Sequence, residues 1–304
     1  MGRAYGLPYQ GSKSRIAEWV VDVLPASHTL VDLFAGGCAV THAALMSGKW
    51  ERVVANDRGS APQVFLDACN GEFDQWALVC NRDDFMALRD VDEAVALLYS
   101  FGNNGRDYLW SEPNAAVKVP AEKMLAAPSE RERRTWFKAF IKALMRDLGS
   151  DEKTNRQLGM ERLERLQDLM GMERLERVQD LQGMMGLERV QGLQGMVGLE
   201  RMQGLTVTRG DYRDVDVPEG GTVYADPPYR GTNTKKYGSF NFGAFDRWLA
   251  EVDFPVYVSE YTAPAGCVEV ASREKMCSMS ANGKSMRSVE RIFVQERFAG
   301  SGGR

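Results

Sequence analysis

The stretch from Thr29 to Asp57 constrains the fold more than any other part of the chain. Thr29 to Phe34 is a short apolar run that ends in Ala35-Gly36-Gly37. A helical pattern follows from Cys38 to Met46, and Arg52 to Ala55 is a second apolar run closed by Asn56-Asp57. Alternation between short apolar runs and helical periodicity reads as strand, glycine loop, helix, strand. Two strands joined by a helix pair in parallel, and parallel sheets are covered on both faces. The chain is therefore expected to be α/β, with further helices and strands supplied from elsewhere.

Those elements come from both sides. Ser12 to Leu24 has helical spacing, with Ile16, Trp19, Val20 and Val23 apolar. Thr206 to Thr208, Thr222 to Ala225, Phe254 to Ser259 and Val289 to Phe298 read as strands, and Phe240 to Val252 as an amphipathic helix. Residues 1–60 and 206–304 together predict one sheet of mixed or mainly parallel order, with 61–205 inserted between them. Within the insert, 61–159 reads as mainly helical. Its clearest helix runs from Glu130 to Leu148, opened by a Ser129/Glu132 capping box and closed at Gly149. Residues 160–205 form a twelve-residue tandem repeat of L-E-R-x-Q copies beginning at Leu163, Leu175, Leu187 and Leu199. An apolar residue at every third position does not hold one face of an α-helix, and the repeat leaves its own conformation open.

Composition removes several classes. The chain has 304 residues, 44% hydrophobic and 26% charged, too apolar for a mainly disordered protein. Five scattered cysteines without a CxxC pair, and only His28 and His42, give no metal-site spacing. No apolar run is long enough for a membrane span, and no signal-peptide core is seen. A cytoplasmic protein without metal or membrane is expected. The net charge is −4. Locally, residues 61–130 hold 5 basic and 12 acidic side chains, whereas residues 131–160 hold 8 basic and 4 acidic. Any polyanion contact is thus expected on a local basic face, and Arg131, Arg134 and Lys138 on the 130–148 helix are candidates for phosphate contacts.

Three motifs carry chemistry. Asp226-Pro227-Pro228-Tyr229 directly follows the strand T-V-Y-A. The prolines force the chain out of the sheet at the strand's carboxyl end, where open α/β sheets bind ligands. A carboxylate, a proline carbonyl and a ring together suit a flat group bearing an exocyclic amine: Asp226 and Pro227 accept its hydrogens and Tyr229 stacks. Asp32-Leu33-Phe34-Ala35-Gly36-Gly37-Cys38 is a glycine loop without the G-x-G-x-x-G spacing, and Asp57 at the next strand end can hold ribose hydroxyls. That pair suggests a nucleoside-type cofactor without a pyrophosphate. Tyr9-Gln10-Gly11-Ser12-Lys13 precedes the first helix and offers a cation to a carboxylate.

In this order, Y-Q-G-S-K, D-L-F-A-G-G-C, N-D, a long insert, G-D-Y and D-P-P-Y, the chain resembles the amino-methylating DNA methyltransferases. It is most similar to the α-group adenine-N6 enzymes related to the bacterial GATC methylase. The resemblance covers residues 1–60 and 205–300. It implies a Rossmann-like S-adenosylmethionine-dependent methyltransferase core, a target-recognition domain in the insert, and double-stranded DNA as partner. It also brings the settings of restriction–modification and phage genomes. On this analogy Tyr9 and Lys13 lie at the methionine end of the cofactor, Asp32, Phe34 and Gly36 in its loop, Asp57 at its ribose and Asp211 near its adenine. Asp226, Pro227, Pro228 and Tyr229 hold the target base. One departure is that the family's second loop glycine is Cys38 here.

The implied reaction is methyl transfer to N6 of an adenine flipped out of the duplex. Cytosine-C5 chemistry needs a cysteine nucleophile, usually in a Pro-Cys pair, and the chain has none. N4-cytosine methylation and a catalytically decayed DNA-binding scaffold are the rival readings. Phe101-Gly102-Asn103-Asn104-Gly105-Arg106 has two readings. Asn103, Asn104 and Arg106 can read base edges, or the asparagines can bond their own backbone in a glycine-rich turn.

Overall fold

The computed structural model describes residues 5–73, 75–148, 204–231, 240–277 and 286–300. They separate into two compact units. The first holds residues 5–7, 11–66 and the described residues from 204 onward; the second holds residues 8–10 and those from 67 to 148.

The first unit is a seven-stranded mixed sheet. Its strands are β1 (Thr29–Asp32), β2 (Arg52–Asp57), β3 (Leu205–Arg209), β4 (Thr222–Ala225), β5 (Val256–Glu260), β6 (Cys267–Cys277) and β7 (Met286–Gln295), in the order β3-β2-β1-β4-β5-β7-β6. The first five run parallel, and β7 lies antiparallel between β5 and β6. Helices α1 (Ala17–Val23) and α2 (Ala39–Ser47) cover one face over Leu30, Val53 and Tyr224. The other face, with Val31, Val223 and Val258, packs on Phe245 and Leu249 of a later helix, Phe242–Glu251. Adjacent strand residues face opposite sides, so the near-continuous apolar text of β1 and β4 is what two covered faces require.

The expected strands and helices are present, with shifted ends. The first helix begins at Ala17, not Ser12: Gly11 has φ +81°, and Ile16 donates to the Lys13 carbonyl at 2.8 Å, so 11–16 is a turn. β7 ends at Gln295 and is followed by a 3₁₀ turn over Glu296–Phe298. β6 has no counterpart in the sequence reading. Its C-V-E-V-A-S-R-E-K-M-C text is charged and polar enough to pass for loop, and it is stabilised by pairing along β7.

The second unit is helical. After α3 (Ala61–Cys69), on which the division between units falls, come α4 (Gln75–Leu78), α5 (Arg82–Leu88), α6 (Glu93–Leu98), α7 (Glu112–Ala126) and α8 (Glu130–Leu148). The Phe242–Glu251 helix of the sheet unit is α9. Phe140 of α8 is buried with Val117, Val119, Ala121, Met124 and Leu125 of α7, and Trp136, Phe137 and Ile141 pack against them. At the start of α8, Ser129 Oγ accepts the Glu132 N–H at 3.3 Å and donates to Glu132 Oε2 at 2.6 Å. The Gly149 stop, the repeat up to residue 203, and Lys235, Lys236 and Tyr237 lie outside the described residues.

Candidate active site

The carboxyl ends of the five parallel strands meet along one edge of the sheet, and each brings an acid. Asp32 closes β1, Asp57 closes β2, Asp211 follows β3, Asp226 follows β4 and Glu260 closes β5. The strand order reverses between β1 and β4, which makes this edge the topological switch point where open α/β sheets take their ligands.

The glycine loop is held from two sides. Gly36 donates its N–H to Asp57 Oδ2 at 2.9 Å, while Asp57 Oδ1 accepts from Gly59 at 2.8 Å. The buried Asn56 side chain joins three strand ends: it donates to the Leu33 carbonyl at 3.1 Å and the Gly210 carbonyl at 3.3 Å, and accepts from Thr208 at 3.0 Å. From the other side Leu7 donates to the Gly37 carbonyl at 2.7 Å, and Gly6 (φ +70°) lies so close that a β-carbon there would fall 2.3 Å from that oxygen. Gly36 has φ +48°. Cys38 has φ +60° and ψ +33°, the left-handed conformation that glycine adopts without penalty. Cys38 therefore brings a side chain to a backbone conformation that a glycine could occupy. Phe34 packs its ring on Tyr212 at 5.2 Å and on Phe245 at 6.0 Å, so it anchors the loop in the apolar core.

Each carboxylate at the edge has a different partner. Asp32 is buried and accepts the Thr41 hydroxyl at 2.8 Å through Oδ2. Its Oδ1 has no hydrogen-bond partner among the described residues. Burial, reinforced by the Asp226 and Asp57 charges, pushes its carboxyl up to about 7. Asp211 is chelated by Arg213, with contacts at 2.8 and 3.0 Å, and also takes Arg58; these hydrogen bonds hold it well below the usual carboxylate range. Glu260 accepts the N–H groups of Arg230 at 2.6 Å and Tyr261 at 2.7 Å.

Asp226 is the centre of the densest cluster. Lys13, 6% exposed, donates to both Asp226 oxygens at 2.7 Å. The same ammonium stands 3.7 Å from Glu290 Oε1 and 4.6 Å from the centre of the Tyr229 ring. Tyr229 donates its hydroxyl to Glu290 and meets the Tyr261 ring edge-on at 4.6 Å. Burial works against the Lys13 charge, but Asp226 and Glu290 outweigh it and keep the ammonium above its ordinary value. Burial raises Asp226 against the pull of Lys13. It also raises Tyr229, which stays protonated and can donate. Pro227 is buried and Pro228 half-buried beside this cluster.

The structure thus brings Lys13, Asp32, Phe34, Gly36, Asp57, Asp211 and Asp226 to Tyr229 together in the sheet unit. Tyr9 falls in the short 8–10 segment that groups with the helical unit. There Asn103 accepts the Gln10 N–H at 2.9 Å and donates to the carbonyls of Pro8 and Leu97, both at 3.0 Å. Asn104 accepts from the N–H groups of Arg106 and Asp107 and donates to the Asp107 carboxylate. Asn104 serves the turn's own framework and Asn103 ties the loop to the 8–10 segment and to Leu97, whereas Arg106 is exposed. Arg131, Arg134 and Lys138 line one exposed stretch of α8 with Glu130 and Thr135, and Arg134 pairs with Glu130 at 2.7 Å.

Glu290, Gly6 and Leu7 are site residues that sequence reading missed. The signal for Glu290 was parity: on β7 it falls in step with Ile292 and Val294, both buried, and a charge in that register needs a partner. Among the described residues no cluster of His, Cys, Asp and Glu could hold a metal ion, and no helix is long and apolar enough to cross a membrane. Residues 9–68 match the family model described as D12 class N6 adenine-specific DNA methyltransferase. Comparison with curated proteins finds no match.

Proposed function

We propose, on the match of residues 9–68 to the family model of D12 class N6 adenine-specific DNA methyltransferases, that this chain methylates adenine in DNA, that it uses S-adenosylmethionine and that its target adenine is flipped out of the duplex. The observation that carries the reading is the Lys13–Asp226–Tyr229–Glu290 cluster at the switch point of the sheet.

The cofactor fits the residues present. The Gly36–Cys38 loop brings backbone rather than side chain to the sheet edge, and Asp57 stands beside it with a carboxylate able to take ribose hydroxyls. Asp32 offers a buried oxygen that has no hydrogen-bond partner among the described residues. Phe34, Gly36, Asp57 and Asp211 would hold the nucleoside end, and Lys13 and Asp32 the amino-acid end. When bound, S-adenosylmethionine supplies a methyl group activated by its sulfonium charge.

Asp226 and the Pro227 carbonyl are acceptors for the two hydrogens of an exocyclic amine, and Tyr229 offers a ring for the base to lie against. An adenine amine has its lone pair spread into the ring and is a poor nucleophile. Hydrogen bonds from both its hydrogens favour a more pyramidal nitrogen with the pair localised on it. Catalysis on this reading is positioning and electrostatics, and Asp226 is the group nearest to take the proton the amine must lose. The base has to leave the helix to reach such a pocket. The 61–159 region would be the target-recognition insertion, with Arg106 at base edges and Arg131, Arg134 and Lys138 on phosphates. Asn103 and Asn104 would serve it by holding the loop.

The test is single-molecule sequencing of DNA from a host without adenine methylation that expresses the chain, beside the same host expressing Asp226→Ala. N6-methyladenine at a defined motif is expected, with the variant down by about 10²–10³-fold or more. N4-methylcytosine would overturn the substrate assignment. No modified base from a folded, cofactor-supplied protein would overturn the activity.

A further inference from the structure

Tyr229 follows two prolines and precedes Arg230, in a segment without sheet partners, yet its ring is fixed at two points. Its hydroxyl is held by Glu290, and its ring meets that of Tyr261 at 83°. Glu290 belongs to β7, paired on both sides with β5 and β6, so this anchor is built into the sheet. It is fully buried. The same carboxyl oxygen lies 3.7 Å from the Lys13 ammonium, which also makes the two 2.7 Å contacts to Asp226. One ammonium is therefore shared by two buried carboxyl groups. A buried pair of Lys13 and Asp226 alone would be neutral and closed on itself. The second carboxylate stands 3.7 Å away as an alternative partner for the ammonium when another donor takes its place at Asp226.

We propose that Glu290 is a positioning residue of the target-amine site: it sets the plane of the Tyr229 ring and keeps Lys13 shared, so that Asp226 is open to an incoming amine. This rests on the reading of Asp226 to Tyr229 as the target-base site. Two consequences separate by substitution. Glu290→Gln keeps an oxygen for the Tyr229 hydroxyl but removes the charge. Glu290→Ala removes both. Tyr229→Phe keeps the ring and removes its anchor.

The experiment measures kcat, KM for unmethylated genomic DNA and calorimetric S-adenosylmethionine affinity for the wild type, these variants and their double combinations. Glu290→Gln is expected to keep KM for DNA within about twofold and to lose about tenfold in kcat, on the scale of one charge-assisted hydrogen bond. Glu290→Ala should lose about a hundredfold in kcat and raise KM for DNA as well. Tyr229→Phe should cost little further in the Glu290→Ala background, because the interaction is already gone. Should Glu290→Ala fail to fold, the Glu290→Gln and Tyr229→Phe pair completes the cycle, with nearly multiplicative losses expected because the Gln retains the anchor. Cofactor affinity should stay within about twofold throughout. Equal losses in Glu290→Gln and Glu290→Ala, multiplying losses for Glu290→Ala with Tyr229→Phe, or a fall in cofactor affinity that tracks activity would overturn the assignment while the wild type still methylates adenine. A wild type that leaves adenine unmodified overturns the target-base reading and Glu290's role with it.

Discussion

Asp32 carries a carboxylate into a place with little water, one hydroxyl partner and two acidic neighbours. Its folded-state value of about 7 lies above the ordinary 3.8. Between about pH 4 and pH 7 the folded chain therefore keeps a proton that the unfolded chain releases, and stability falls as pH rises through that window. Asp32→Asn cannot ionise and still offers Thr41 an oxygen. Without cofactor it should gain about 2–4 kcal/mol over the wild type at pH 8 and less than half as much at pH 5, in urea melts. Equal gains at both pH values would show that charge is not the cause. This residue was legible in the sequence as the end of a strand before a glycine loop. Its protonation was not, because desolvation depends on what α2 and β4 place around it. The asparagines of the 101–106 loop are the converse case. Their type fits either base reading or turn building, and only the positions of Pro8, Leu97, Gln10 and Asp107 show where the amides go.

At the level of elements, the glycine loop depends on a neighbour that the sequence reading did not connect to it. Gly6 lies against the backbone of Gly37 and Ala39 in a left-handed conformation. Gly6→Ala should force that backbone apart and cost about 2–4 kcal/mol, seen as a lowered Tm. If the loop holds S-adenosylmethionine as proposed, that affinity should fall by about tenfold or more, since the loop itself shifts; an unchanged Tm and affinity would refute the packing argument. The parallel strands were readable because each is a short apolar run, doubly covered. β6 was not readable, since an edge strand with one ladder and a polar face has no such signature. Helix starts were less legible than helix bodies: α8 shows in its apolar stripe, while α1 yields its first turn to the loop that carries Lys13.

At the largest scale, the two units differ in which charges they present. The sheet edge gathers five carboxylates, whereas α8 presents Arg131, Arg134 and Lys138 to solvent. If that face meets phosphates, replacing all three by alanine should reduce the slope of log K for DNA against log salt by about 2–3 and leave the modified sequence motif unchanged. A wild-type slope would remove α8 from the DNA contact. The net charge of −4 conceals this division, and the text of 131–160 reveals it.

The strand order also sets a timetable. β1 and β2 are made within the first 57 residues, yet β4, which lies against β1, begins only at Thr222. At about 5–20 residues per second a ribosome needs roughly 10–30 s to make the chain between them. Through that interval β1 has one open flank where the centre of the sheet will be. β7, which separates β5 from β6 and brings Glu290, comes later still. The cluster around Asp226 can thus assemble only after β7 has been made, so a nascent chain stalled before Met286 would carry the D-P-P-Y tetrapeptide without the carboxylate that holds its tyrosine.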